Sequence, residues 1–117
     1  MAIALLLAYP TLISSHELQS QSIYDIVREA TERHGVPFDE IWATIRCETA
    51  GTFDPAIQSR HVFPDGRREE SYGLAQIFLP AHPYVTKAEA IDPHFAAEFI
   101  SKNWKAHKSW WVCARKL

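Results

Sequence analysis

Apolar side chains recur at helical spacing in three stretches of the chain. Ile23, Ile26, Val27 and Ala30 form one face of residues 22–34, and Arg28, Glu29, Glu32 and Arg33 form the other. Ser22 stands where an N-cap is needed, with Asp25 three residues on, and Gly35 is placed to stop the helix. A second stripe, Phe38, Ile41, Trp42 and Ile45, predicts a helix over residues 37–49 with Gly51 as its C-cap. The third opens at Asp92-Pro93, an N-cap followed by proline at the first helical position, and continues through Phe95, Ala96, Phe99, Ile100, Asn103 and Trp104. The first helix has no evident chemistry and is expected to back the second.

Between the second and third helices the pattern changes. Arg60-His61-Val62-Phe63 and residues 67–72 flank Pro64-Asp65-Gly66, in which proline presets φ and glycine accepts positive φ; a short hairpin is expected there. Residues 79–90 contain Pro80, His82 and Pro83 and read as a loop, with Thr86 capping one helical turn. The result is an α+β domain, mostly α, over residues 16–117. Residues 1–13 are apolar without a charged side chain, too short to span a bilayer. They read either as the core of an export signal ending near Ser15, although a basic leader and an Ala-x-Ala site are missing, or as an N-terminal segment packed on the domain. Retained, they would tether the domain to a membrane.

Composition narrows the function classes. A chain of 117 residues supports one modest core. A net charge of −2 offers no basic face, so nucleic acid is not an expected partner. Four Trp and four Tyr suit either a core or a carbohydrate groove. The six histidines show no His-x-x-x-His spacing and do not group with the two cysteines, so neither a metal nor a cofactor is expected.

One position departs from the apolar logic. Continuing the second stripe three residues beyond Ile45 lands on Glu48, in the last turn of its helix. Burial and the negative end of the helix dipole both push a carboxyl pKa upward, as a general acid working near neutral pH requires. The plainer alternatives are a solvated glutamate at a frayed helix end, or a buried partner of Arg46 or Arg28.

What surrounds Glu48 carries a family resemblance. The run Ile45-Arg46-Cys47-Glu48-Thr49-Ala50-Gly51-Thr52-Phe53-Asp54-Pro55, followed by Ser71-Tyr72-Gly73-Leu74-Ala75-Gln76-Ile77, resembles the soluble lytic transglycosylases and goose-type lysozymes. In that family a helix-terminal Glu-Ser opens the site, Phe-x-Pro follows, and Gly-Leu-Met-Gln-Ile closes it. The likeness spans residues from about Phe38 to Trp111. It implies a lysozyme-like fold with a hairpin facing the catalytic helix, and cleavage of the β-1,4 bond between N-acetylmuramic acid and N-acetylglucosamine in peptidoglycan. Glu48 would be the catalytic acid, and Thr49, Ser71, Tyr72, Gly73 and Gln76 would fall in the substrate groove, with Tyr84 beside them. Thr49 stands for the family's serine and keeps a hydroxyl; Ala75 stands for its methionine and opens a little volume beside the groove.

Retaining glycosidases use two carboxylates. Animal-type lysozymes carry an aspartate immediately before a similar Tyr-Gly-x-x-Gln run, and that place is Ser71 here. With one carboxylate, lytic transglycosylation giving a 1,6-anhydro end is the simpler expectation. Hydrolysis, with water held by Glu70 or Asp65, is the rival, and a non-catalytic wall-binding module is the alternative from another class. Peptidoglycan glycan strands are the expected partner, the location extracytoplasmic, and the chain a monomer. Trp110 or Trp111 would stack on a sugar or close the core. Two cysteines in an exported protein fit one bridge, Cys47 to Cys113, against two reduced thiols in a cytoplasmic one.

Overall fold

The computed structural model describes residues 21–117. The apolar segment at residues 1–13, and the boundary at residue 15, lie outside them. Helix α1 (Ile23–His34) starts where Ser22 Oγ accepts the Asp25 N–H at 3.1 Å and stops at Gly35, in the left-handed region at φ 61°. Helix α2 (Phe38–Glu48) begins after Pro37 without a side-chain cap. A four-residue α3 (Lys87–Ala90) carries a full capping box between Thr86 and Glu89, and α4 (Pro93–His107) is capped by Asp92, which accepts the His94 N–H at 2.8 Å. Two 3-10 turns, Lys108–Trp110 and Val112–Lys116, carry the chain back across α2.

The helical periodicities are those of the core. Ile26, Val27 and Ala30 of α1, Ile41 and Ile45 of α2, and Ala96, Phe99, Ile100 and Trp104 of α4 are buried together with Leu74, Ile77 and Trp111. α1 lies chiefly against α4 and only secondarily against α2. It backs the helix of Glu48 by this smaller, direct contact, and Arg33 and His34 at its end both bond Glu98 of α4.

The β structure is smaller than expected, and displaced. Strands β1 (Ser71–Tyr72) and β2 (Ile77–Phe78) form one antiparallel hairpin, in which Ser71 pairs with Phe78 and Tyr72 with Ile77. The turn at Pro64-Asp65-Gly66 does form: Gly66 N–H donates to the Phe63 carbonyl at 2.9 Å, and Arg67 N–H to Asp65 Oδ1 at 3.0 Å. Around it, residues 57–63 run antiparallel to 67–73, but only as isolated bridges at Gln58–Tyr72 and Val62–Arg68. The expected hairpin over residues 60–72 is thus a loosely paired loop leading into β1. Most of its side chains are exposed, so no apolar face fixes a longer ladder.

The hairpin docks through Gly73. At φ 79° it favours glycine, and a Cβ there would lie 1.9 Å from the Ala90 carbonyl oxygen at the end of α3. The tail is fastened by Trp111, whose indole N–H donates to the Ala75 carbonyl at 2.7 Å, and by the Cys47–Cys113 disulfide, with Cα atoms 5.9 Å apart.

Candidate active site

Glu48 ends α2 and looks into a cavity of about 300 Å³. One side is the end of α2 with Ala50. The other is the loosely paired segment: Ile57, Gln58, Ser59, Arg60, Glu69 and Ser71. Gln76 and Phe78 form the floor, and Trp110, Trp111 and Val112 close the tail side. Glu48 is half-buried, and the Cys113 N–H donates to its Oε1 at 3.1 Å. Burial raises its pKa above the ordinary 4.5. The Cys113 hydrogen bond opposes that rise, Glu69 adds to it, and Lys116 opposes it. Of the readings open from sequence, the frayed solvated end and the Arg28 or Arg46 pair are not what forms: α2 is ordered to Glu48, and neither arginine bonds it.

The backbone that frames Glu48 is held by Thr49. Its hydroxyl donates to the Ile45 carbonyl at 2.8 Å and accepts the Phe53 N–H at 3.0 Å, while Thr52 Oγ1 donates to the Thr49 carbonyl at 2.7 Å. Thr49 is fully buried and does not line the cavity, so its expected contact with substrate gives way to the task of turning the chain after the helix. Gly73 is likewise a packing residue, as its approach to Ala90 shows. Tyr72 is buried and turned to a second cavity of about 580 Å³, where it meets Phe63, Arg67, Arg68 and Glu70; Lys87 lies 5.0 Å from its ring. Gln58 and Phe78 border both cavities, so the two lie next to each other.

Tyr84 is 96 % exposed and lines neither cavity. Gln76 lies in the groove, with φ at 43° in the left-handed region. Its amide nitrogen donates to the carbonyls of Gly73 at 3.0 Å and Ile57 at 3.2 Å, which leaves the side-chain oxygen to receive a ligand's N–H. The two tryptophans differ in exposure. Trp111 is buried in the core. Trp110 is 44 % exposed at the rim, stacked on His107 at 4.1 Å and touched edge-on by His82. A small cavity of about 50 Å³ lies beside Ala75, between His82, Phe99 and the two tryptophans.

Ser71 does line the groove, but it does not leave Glu48 as the cavity's lone carboxylate. Its hydroxyl donates to Glu69 Oε1 at 3.0 Å, and the Ser59 hydroxyl donates to Glu69 Oε2 at 2.9 Å. Glu70 is exposed toward the second cavity, and Asp65 sits at the exposed loop tip bonded to Arg67 at 2.7 Å, so neither shares the cavity of Glu48. Glu69, and not Glu70 or Asp65, is the second acid of this cavity. The signal that finds it is the two-residue period of extended chain, which puts Glu69 on the face of Ser71 and Glu70 on the other.

No family model matches the chain, and neither curated proteins nor solved structures give a significant match. The functional reading therefore rests on the residues and their placement.

Proposed function

We propose that this is a lysozyme-like domain that cleaves the β-1,4 bond between N-acetylmuramic acid and N-acetylglucosamine in peptidoglycan, acting as a lytic transglycosylase outside the cytoplasm. The observation that carries the reading is Glu48: a carboxyl group with a raised pKa, open to a cavity that adjoins a second one and is bordered by an exposed tryptophan. A group of that kind holds a transferable proton nearer neutral pH than an ordinary glutamate does. The Cys47–Cys113 bridge fits an oxidising compartment. No described helix is long and apolar enough to cross a membrane.

Glu48 gives its proton to the glycosidic oxygen as the C1–O bond breaks, and the acetamido oxygen of the muramic acid attaches to C1. Glu48, now a carboxylate, takes the proton of the C6 hydroxyl while O6 attacks C1 and displaces the acetamido oxygen. The product is a 1,6-anhydro end, and Glu48 is protonated again. Gln76 offers its side-chain oxygen to an acetamido N–H, and Trp110 offers a ring face to a sugar. The second reading is hydrolysis. Glu69 favours it, because a second carboxylate in the cavity can hold the attacking water.

Mass spectrometry of fragments released from purified peptidoglycan tests both. Anhydro ends identify the transglycosylase, reducing ends the hydrolase, and no fragments a binding module. Glu48→Gln, folded but without its proton, is expected to lose at least about a hundredfold in rate; full activity in that variant would remove Glu48 from the chemistry.

A further inference from the structure

We infer that Glu69, seated by the hydroxyls of Ser59 and Ser71, is the charge-stabilising carboxylate of the site, supplying the negative charge against which the cleaved sugar ring becomes cationic. The inference rests on the glycan-cleaving reading of Glu48, and it holds whether the bond is closed by the C6 hydroxyl or by water.

Three observations carry it. Glu69 lines the cavity of Glu48 and is half-buried there. Each of its oxygens takes one hydroxyl, from serines on two different runs of chain, so the carboxylate plane is fixed rather than swinging in solvent. Among the described residues no lysine or arginine is ion-paired with it; Arg60 lines the same cavity and Lys116 acts on Glu48 from the tail, but the ion pairs lie elsewhere.

A bond between two strands needs no carboxylate. Hydroxyls or backbone groups would join residues 59 and 71 without setting a negative charge near a second acid, an arrangement that opposes folding through like-charge repulsion. Fixed, unneutralised charge in an open groove is what a developing cation requires, since it need not reorganise during the reaction. The same charge helps keep the proton on Glu48. The serine at the place of the animal-type aspartate thus has a definite use: it holds the carboxylate that stands two residues earlier.

The test is Glu69→Gln in the whole chain, with fragment release from peptidoglycan followed across pH. Expected are a fall in kcat on the order of a hundredfold with little change in KM, and a shift of the alkaline limb of the pH profile to lower pH, because Glu48 loses a neighbour that raises its pKa. A merely structural role would lower stability and leave kcat of the folded enzyme unchanged, whereas the limb reports the charge beside Glu48 in either case. If the wild type cleaves and folded Glu69→Gln cleaves as fast, this assignment alone is overturned; if the wild type releases nothing, the proposed function falls and takes this with it. Should Glu69→Gln not fold, the Ser59→Ala/Ser71→Ala double variant carries the test, keeping the carboxylate but freeing it. A loss of about tenfold is expected there, and an undiminished rate overturns the assignment.

Discussion

Helices α1 and α4 are held by repetition, whereas residues 49–78 are held by individually placed hydrogen bonds. In the helical half, stripes of Ile, Val, Ala and Phe bury against one another, and the caps at Ser22, Gly35 and Asp92 finish the ends. In the loop half, Thr49, Thr52, Asp54, Gln58, Ser59, Arg68 and Gln76 each bond particular backbone groups, and regular β structure amounts to two residue pairs. Repetition gives stability that tolerates exchange of any one member. Single bonds give a surface on which polar side chains can be aimed, at the cost of depending on each contact. Most of the residues that line the cavity of Glu48 come from the second kind of structure.

The sharpest way to break this contrast is to open the disulfide, since it fastens the end of α2 to the tail independently of any stripe. With a sequence separation of 66 between the cysteines, chain entropy gives about 4 kcal/mol. Reduction, or Cys47→Ala/Cys113→Ala, should lower stability toward that limit in a denaturant titration. It should also expose Trp110 and Trp111 to a fluorescence quencher. An unchanged midpoint would mean that packing alone holds the tail.

Next in size is a pair of glycines with the same φ of 79°. At Gly73 an added Cβ meets the Ala90 carbonyl at 1.9 Å, while at Gly51 nothing lies within 4 Å. Gly73→Ala should cost about 3 kcal/mol or more, and Gly51→Ala about 1 kcal/mol. Equal losses in thermal or chemical unfolding would show that backbone conformation, not the docking of the hairpin on α3, sets the cost.

The smallest effect belongs to Glu48 itself. Its pKa in the folded protein is raised above 4.5, so between that value and the folded one the native state binds more protons than the unfolded chain. Stability from this group is therefore complete at pH below about 4.5 and declines as pH rises through the window. Glu48→Gln should accordingly be slightly more stable than the wild type at pH 7, with the advantage vanishing in acid. A wild type that gains on Glu48→Gln as pH rises would mean that the Cys113 hydrogen bond outweighs burial.

Legibility followed the same division. The helices, the caps at Ser22, Thr86 and Asp92, and the core stripe of α4 could all be read directly, because periodicity and capping are local rules. Glu48 was legible as the polar member of an apolar stripe. The β pairing was not. Pro64-Asp65-Gly66 announces its turn, but the tighter one at Gly73–Gln76 is formed by buried Leu74 and Ala75 and a glutamine at positive φ, none of them turn-formers. Nor were Thr49 and Gly73 distinguishable from groove residues, since a motif shows that a residue is needed without saying whether substrate or backbone needs it. The Cys113 N–H on Glu48 joins groups 65 residues apart and has no local trace.

The bridge between Cys47 and Cys113 has a topological consequence. Every residue lining the cavity of Glu48, from Cys47 itself through Val112, belongs to the single covalent ring that this bond closes, while α1 lies wholly outside it. A protease that cuts the exposed loop at Pro64–Gly66 would turn the ring into two fragments still joined by sulfur, running as one species until reductant is added. The two sides of the groove can therefore be severed along the backbone without being released from each other.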